Sequence, residues 1–131
     1  MPLRKKKDMI DWAERVREAQ SAKKPVKIGI VGKYFGTGAF TLSDSYISVI
    51  EALKHAAWVE KRSPELHWLD AEEYERDPKA LWSLRDFDGI VAPGGFGSRG
   101  VEGKIRVIEF CRKNNVPYFG LCYGMHLAVV E

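Results

Sequence analysis

Short apolar runs, three of the four leading into glycine, alternate along this chain with longer stretches of helical periodicity. Val26-Lys27-Ile28-Gly29-Ile30-Val31-Gly32, Leu66-His67-Trp68-Leu69-Asp70, Gly89-Ile90-Val91-Ala92-Pro93 and Tyr118-Phe119-Gly120-Leu121 read as strands. Between them, residues 44–58 place Tyr46, Ile47, Val49, Ile50, Leu53 and Ala57 on one helical face, with Ser43 or Asp44 as cap. A second helix is predicted over 71–84, interrupted at Pro78, and a third over 104–114 with Ile105, Ile108 and Cys111 on one side. A last helix begins at about Gly124. Strands and helices alternating at this spacing predict an α/β fold of three layers, a mostly parallel sheet with helices on both faces. Ligand sites in such sheets lie at the C-terminal ends of the strands, where the glycines of this chain collect.

With 131 residues the chain is the size of one domain. Its net charge of +3 is not spread over that domain. Residues 1–24 carry eight Lys/Arg against four acids, and the remainder carries 13 against 14. The basic excess is therefore a solvated tail, and no nucleic-acid partner is expected. No apolar run approaches the ~18 residues of a membrane span, and Met1–Lys7 leads into Asp8-Met9-Ile10-Asp11 without the apolar core of a signal peptide. Two cysteines, Cys111 and Cys122, give no disulfide framework and fit a reducing cytoplasm. Residues 1–25 read as a leader or linker with a short helix around Ile10, Trp12, Ala13 and Val16, ended by Ser21–Pro25; residues 26–131 read as the folded domain. The last helix, Met125 to Glu131, meets no Gly, Asn or Pro stop signal, so the domain is expected to be truncated.

Gly120-Leu121-Cys122-Tyr123-Gly124 carries the chemistry. A strand that turns abruptly into a helix holds the residue at the turn in a strained conformation, and glycines two before and two after remove side chains that would collide there. A cysteine at that point sits at a helix N-terminus, which favours the thiolate. The bland alternative is a buried cysteine beside packing glycines. Pro93-Gly94-Gly95-Phe96-Gly97 ends the preceding strand, and no Gly-Lys-Ser/Thr signature follows to make it a phosphate loop. Paired with the elbow, the N–H groups of Gly95 and Tyr123 read as an oxyanion hole for a tetrahedral intermediate at Cys122.

Gly120-Leu121-Cys122-Tyr123-Gly124-Met125-His126 resembles the G-x-C-x-G-x-Q/H nucleophile motif of the class I, or triad, glutamine amidotransferases, whose fold is flavodoxin-like. Val31-Gly32-Lys33-Tyr34, the run from Asp44 to Ala56, Pro93 to Ile105 and Asn115-Val116-Pro117-Tyr118 are similar to the amidotransferase domain of the CTP synthases, and the Trp12 helix to the segment that precedes it. The resemblance implies that residues 26–131 are part of such a domain, that Cys122 is the nucleophile, and that Gly95, Tyr123, Gly124, Met125 and His126 contact L-glutamine. It further implies ammonia transfer to a synthetase domain that uses ATP and Mg²⁺ to aminate UTP, activation by GTP, and a homotetramer at full length. No cofactor or metal is expected in this chain itself. His126 stands where CTP synthases usually have Gln, and the loop from Phe35 to Thr41 is longer than usual.

The family's His-x-Glu pair lies well downstream of the cysteine, and nine residues follow Cys122 here. His55 and His67 have no Glu at that spacing and read as packing or surface residues. His126, four residues after Cys122, is the one local candidate for a base. Two other readings remain. One is a non-catalytic or regulatory binding module that keeps the amidotransferase fold without a complete triad. The other is a cysteine-elbow enzyme of a different group, in which histidine commonly follows the cysteine directly; here that position is Tyr123.

Overall fold

The computed structural model describes residues 9–32, 46–95 and 97–131. In chain order they form α1 (Ile10–Ser21), β1 (Lys24–Gly32), α2 (Ile47–Val59), β2 (Arg62–Asp70), α3 (Ala71–Arg76), a 3₁₀ helix (Pro78–Asp86), β3 (Gly89–Ala92), α4 (Val101–Asn114), β4 (Tyr118–Gly120) and α5 (Tyr123–Val130). The strands make one sheet in the order β2-β1-β3-β4, with every pairing parallel. This is the α/β architecture with a parallel sheet expected from the alternation, and its strand order fits the flavodoxin-like fold that the resemblance implies.

Register assigns the two faces. Ile30 pairs with Trp68 and Val31 with Leu69, so the first pair points one way and the second the other. Tyr46, leading into α2, packs its ring 6.4 Å from that of Trp68 and covers the first face. Val31 joins Ala71, Tyr74, Leu84, Ile90, Val107, Phe110 and Cys111 in the main core, so α3, the 3₁₀ helix and α4 cover the second. Helices on both faces bury a parallel sheet as such sheets require.

Several boundaries differ from expectation, each for a physical reason. β1 begins at Lys24 and includes Pro25, where a break is expected from the sequence. β3 meets β1 only at Ile28–Ile30, so Pro25 lies where β1 has β2 alone as neighbour, and its missing N–H costs no ladder bond on the open side. β2 likewise starts at Arg62 rather than Leu66 and runs through Pro64, because it is an edge strand. α1 extends to Ser21, whose hydroxyl donates to the Glu18 carbonyl. α4 begins at Val101, three residues before the expected start, because Gly100 takes a left-handed conformation ahead of it and Gly103 fits within its first turn. α2 begins at Ile47 with Tyr46 before it; the expected caps Ser43 and Asp44, and the Phe35–Thr41 loop, lie outside the described residues.

The break at Pro78 is present. Asp70 caps α3 by accepting from the Glu72 N–H at 3.0 Å, and Asp77 caps the 3₁₀ helix by accepting from the Lys79 N–H at 2.9 Å. Pro78 takes the first position of that helix, where no N–H is needed. α1 lies along α2, and a groove of about 530 Å³ between them is lined by Trp12, Val16, Glu51, His55 and Trp58. Among the described residues no helix is long and apolar enough to cross a membrane.

Candidate active site

Two adjacent strands deliver the site. At the end of β4, the Leu121 N–H continues the ladder to the Ala92 carbonyl at 2.9 Å. One residue later the backbone turns: Cys122 has φ 51° and ψ −107°, left-handed territory that a side chain enters only under strain. Tyr123 opens α5 at once. The turn is closed by Gly124 N–H donating to the Leu121 carbonyl and His126 N–H to the Cys122 carbonyl, both at 3.0 Å.

The flanking glycines are needed for packing. A Cβ on Gly120 would stand 2.6 Å from the backbone of Gly124 and Met125, and one on Gly124 would stand 2.1 Å from the Ala92 carbonyl oxygen. Tyr118 adds a further tie by donating its hydroxyl to the Gly124 carbonyl at 2.9 Å, and burial pushes its phenol pKa well up. Strand, nucleophile turn and helix are thereby locked to one another.

The end of β3 completes the site. Gly94 lies against the elbow, where an added Cβ would sit 3.4 Å from Cys122 Cβ and 3.9 Å from its Sγ. Gly95, Gly97, Ser98, Cys122, Tyr123 and His126 line one open cavity of about 440 Å³, ample for an amino-acid side chain. Among the described residues no acceptor takes the N–H of Gly95 or of Tyr123. Gly95, the first residue of α5 and an exposed thiol therefore share a concave surface.

The two cysteines contrast sharply. Cys111 is 1% exposed in the core, and burial pushes its thiol up to about 11. Cys122 is exposed at the cavity. Of the residues expected at the site, Gly95, Cys122, Tyr123 and His126 come together. Gly124 is buried against Ala92, and Met125 is 50% exposed away from the cavity lining. Phe96 lies outside the described residues. His55 rests against Trp58 with ring centroids 5.5 Å apart, and His67 against Phe87 at 5.4 Å; neither lines this cavity.

Sequence reasoning did not single out Gly94, Ser98, Tyr118 or Lys104. The first two stand in the same glycine-rich run and could have been found there. Lys104 carried no such signal: it is 3% exposed, with Nζ 5.9 Å from the ring centroid of Tyr123.

The Glutamine amidotransferase class-I family matches residues 41–131, more than half of the chain, and the chain belongs to that family. Within it, the similarity is to CTP synthases. The CTP synthase of Listeria innocua is 46% identical over 124 residues, covering 95% of this chain and 22% of the relative. That of Methanothrix thermoacetophila is also 46% identical over 124 residues, covering 92% and 22%. Among solved structures, the Trypanosoma brucei CTPS glutaminase domain with bound acivicin has a TM-score of 0.70 at 38% identity, over 80% of this chain and 39% of that one. The chain thus spans about a fifth of the length of the curated relatives it matches.

Proposed function

We propose that the chain is the glutamine-hydrolysing part of a CTP synthase, with Cys122 as nucleophile. The observation that supports this most is the exposed thiol on a strained elbow, in one cavity with Gly95 and the first residue of α5. In this reading the Cys122 thiolate attacks the carboxamide carbon of L-glutamine. The N–H groups of Gly95 and Tyr123 hold the oxyanion, the C–N bond breaks, and the departing nitrogen takes up a proton and leaves as ammonia. Water then hydrolyses the thioester to glutamate and restores the thiol. His126 contacts the substrate from the cavity wall.

The His-x-Glu pair that relays protons belongs, in this proposal, to the part of the relatives that the chain does not span. So do the ATP, Mg²⁺ and UTP sites of the synthetase domain, GTP activation and homotetramer formation, in a cytoplasmic enzyme.

L-Glutamine should slow alkylation of Cys122 by iodoacetamide, whereas D-glutamine should not. Equal protection by both, or by neither, contradicts the assignment. Steady ammonia release by the chain alone should fall on the order of 10⁴-fold or more below a complete triad, the usual cost of losing a triad partner. Robust release that Cys122→Ala abolishes would instead make His126 the base. In that case His126→Gln would raise the apparent pKa of Cys122 alkylation by a full unit.

A further inference from the structure

Among the described residues Lys104 is the charged side chain buried within the core, at 3% exposure. Lysine is rarely buried so completely without a specific task for its ammonium. Its backbone is held from several sides. Gly103, just before it, packs so close to α3 that an added Cβ would be 1.8 Å from the Ala71 carbonyl oxygen. The Gly103 N–H donates to Glu75 at 3.3 Å, the Lys104 N–H donates to the Gly100 carbonyl at 3.2 Å, and Arg106 donates to the carbonyls of Tyr74 and Glu75 at 3.2 and 3.1 Å. From this fixed turn Nζ reaches 5.9 Å from the centroid of the Tyr123 ring, within the range of a cation–π contact.

Tyr123 lines the cavity directly after a backbone position at φ 51°, and in the proposed reaction its N–H is one of the two oxyanion donors. A strained conformation persists only where its surroundings over-determine it. The glycines and Tyr118 hold one side of the elbow, and the Tyr123 ring is attached directly to the Cys122–Tyr123 peptide. We infer that Lys104 is a positioning residue: its ammonium anchors the Tyr123 ring and thereby keeps the Cys122–Tyr123 peptide turned with its N–H into the cavity.

This rests on the amidotransferase reading of the site, and two reagents separate the two claims. The chloroketone of L-glutamine is attacked by the Cys122 thiolate, which forms a C–S bond as the C–Cl bond breaks and chloride leaves. Its ketone oxygen draws on the N–H pair. Iodoacetamide reports the thiolate alone. In the full chain, Lys104→Met should lower the ratio of chloroketone to iodoacetamide rates on the order of tenfold, and Lys104→Arg should restore most of it. Tyr123→Leu should lower the ratio similarly, with Lys104→Met adding nothing on top. A purely structural lysine would slow both reagents alike or melt the fold without moving the ratio.

An unchanged ratio in a folded Lys104→Met chain overturns the inference. So does a full additional effect of Lys104→Met in the Tyr123→Leu background. If Lys104→Met does not fold, Tyr123→Leu alone decides: a wild-type ratio overturns the inference, and a lowered ratio at an unchanged iodoacetamide rate supports it. A wild-type chain that reacts equally with L- and D-chloroketones fails at the amidotransferase reading itself, whereas L-selectivity with a ratio insensitive to Lys104 fails here alone.

Discussion

Two strand-to-helix crossings stand side by side, and they are built in opposite ways. Between β3 and α4 the chain takes eight residues, Pro93 to Gly100, and among the described ones the positive φ angles, 85° at Gly97 and 73° at Gly100, fall on glycine. Between β4 and α5 only Leu121 and Cys122 intervene, and the positive φ falls on the cysteine. The first crossing, in its described residues, keeps such angles to glycine and lends Gly95, Gly97 and Ser98 to a cavity lining. The second stores strain at the one residue whose side chain must project. The exposed thiol is thus distinguished from its buried counterpart by the backbone beneath it as much as by exposure.

That contrast can be broken by substitution. Gly124→Ala on α5 and Gly103→Ala on α4 would drive a Cβ to 2.1 and 1.8 Å from carbonyl oxygens, so each should destabilise by about 3 kcal/mol or more in urea unfolding. Gly89→Ala, with 3.6 Å of room, should stay within about 1 kcal/mol. If Gly124→Ala melted like Gly89→Ala, the close packing of the elbow on β3 would be wrong.

The two cysteines should respond with opposite sign. Cys111→Ser puts a hydroxyl into the core beside Val107 and Ile90 and should cost about 1–3 kcal/mol. Cys122→Gly relieves the left-handed strain and should stabilise by about 1 kcal/mol. Destabilisation by Cys122→Gly would mean that the turn carries no strain.

Alkali probes the buried side alone. The folded state holds Cys111 protonated with its pKa raised to about 11, so that contribution is intact below the unfolded thiol value and lost as pH rises through the folded one. Melting temperature should therefore fall between about pH 8.5 and pH 11, and Cys111→Ala should flatten part of that fall. The smallest change is expected in acid. Arg112 grips Glu131 at 2.6 and 2.9 Å, tying α4 to the end of α5 and lowering the Glu131 pKa. That contribution is present above the ordinary carboxylate value and lost as pH falls through the lowered one. Arg112→Gln should remove this acid dependence and leave the alkaline limb unchanged, as a pH series of melting curves would record.

Much of this was legible from residues alone, for reasons that also explain the misses. The strands of the sheet and the break at Pro78 followed from period and from proline chemistry. Pro25 and Pro64 misled because proline reads as a breaker, while an edge strand or an unpaired stretch of a strand tolerates it. The start of α4 was set three residues late, at Lys104; Gly103 lies inside the helix, and its missing Cβ is what lets α4 close on α3. At the site, the spacing of Gly120, Cys122 and Gly124 carried the elbow, since the turn has few chemical solutions. Met125 was placed with the substrate contacts by resemblance; it is half exposed on α5 and is not among the residues that line the cavity. Lys104 was invisible because a lysine in a charged helix reads as solvated, and only tertiary packing places it against Tyr123.

One measurement bears on all of this: treat the folded chain with the L-glutamine chloroketone and map the adduct by peptide mass spectrometry. A single adduct at Cys122, absent from Cys122→Ala, with Cys111 unmodified until the chain is unfolded, is the expected result. Labelling of Cys111 in the folded protein, or an adduct that survives Cys122→Ala, would contradict the assignment of the strained elbow as the nucleophile.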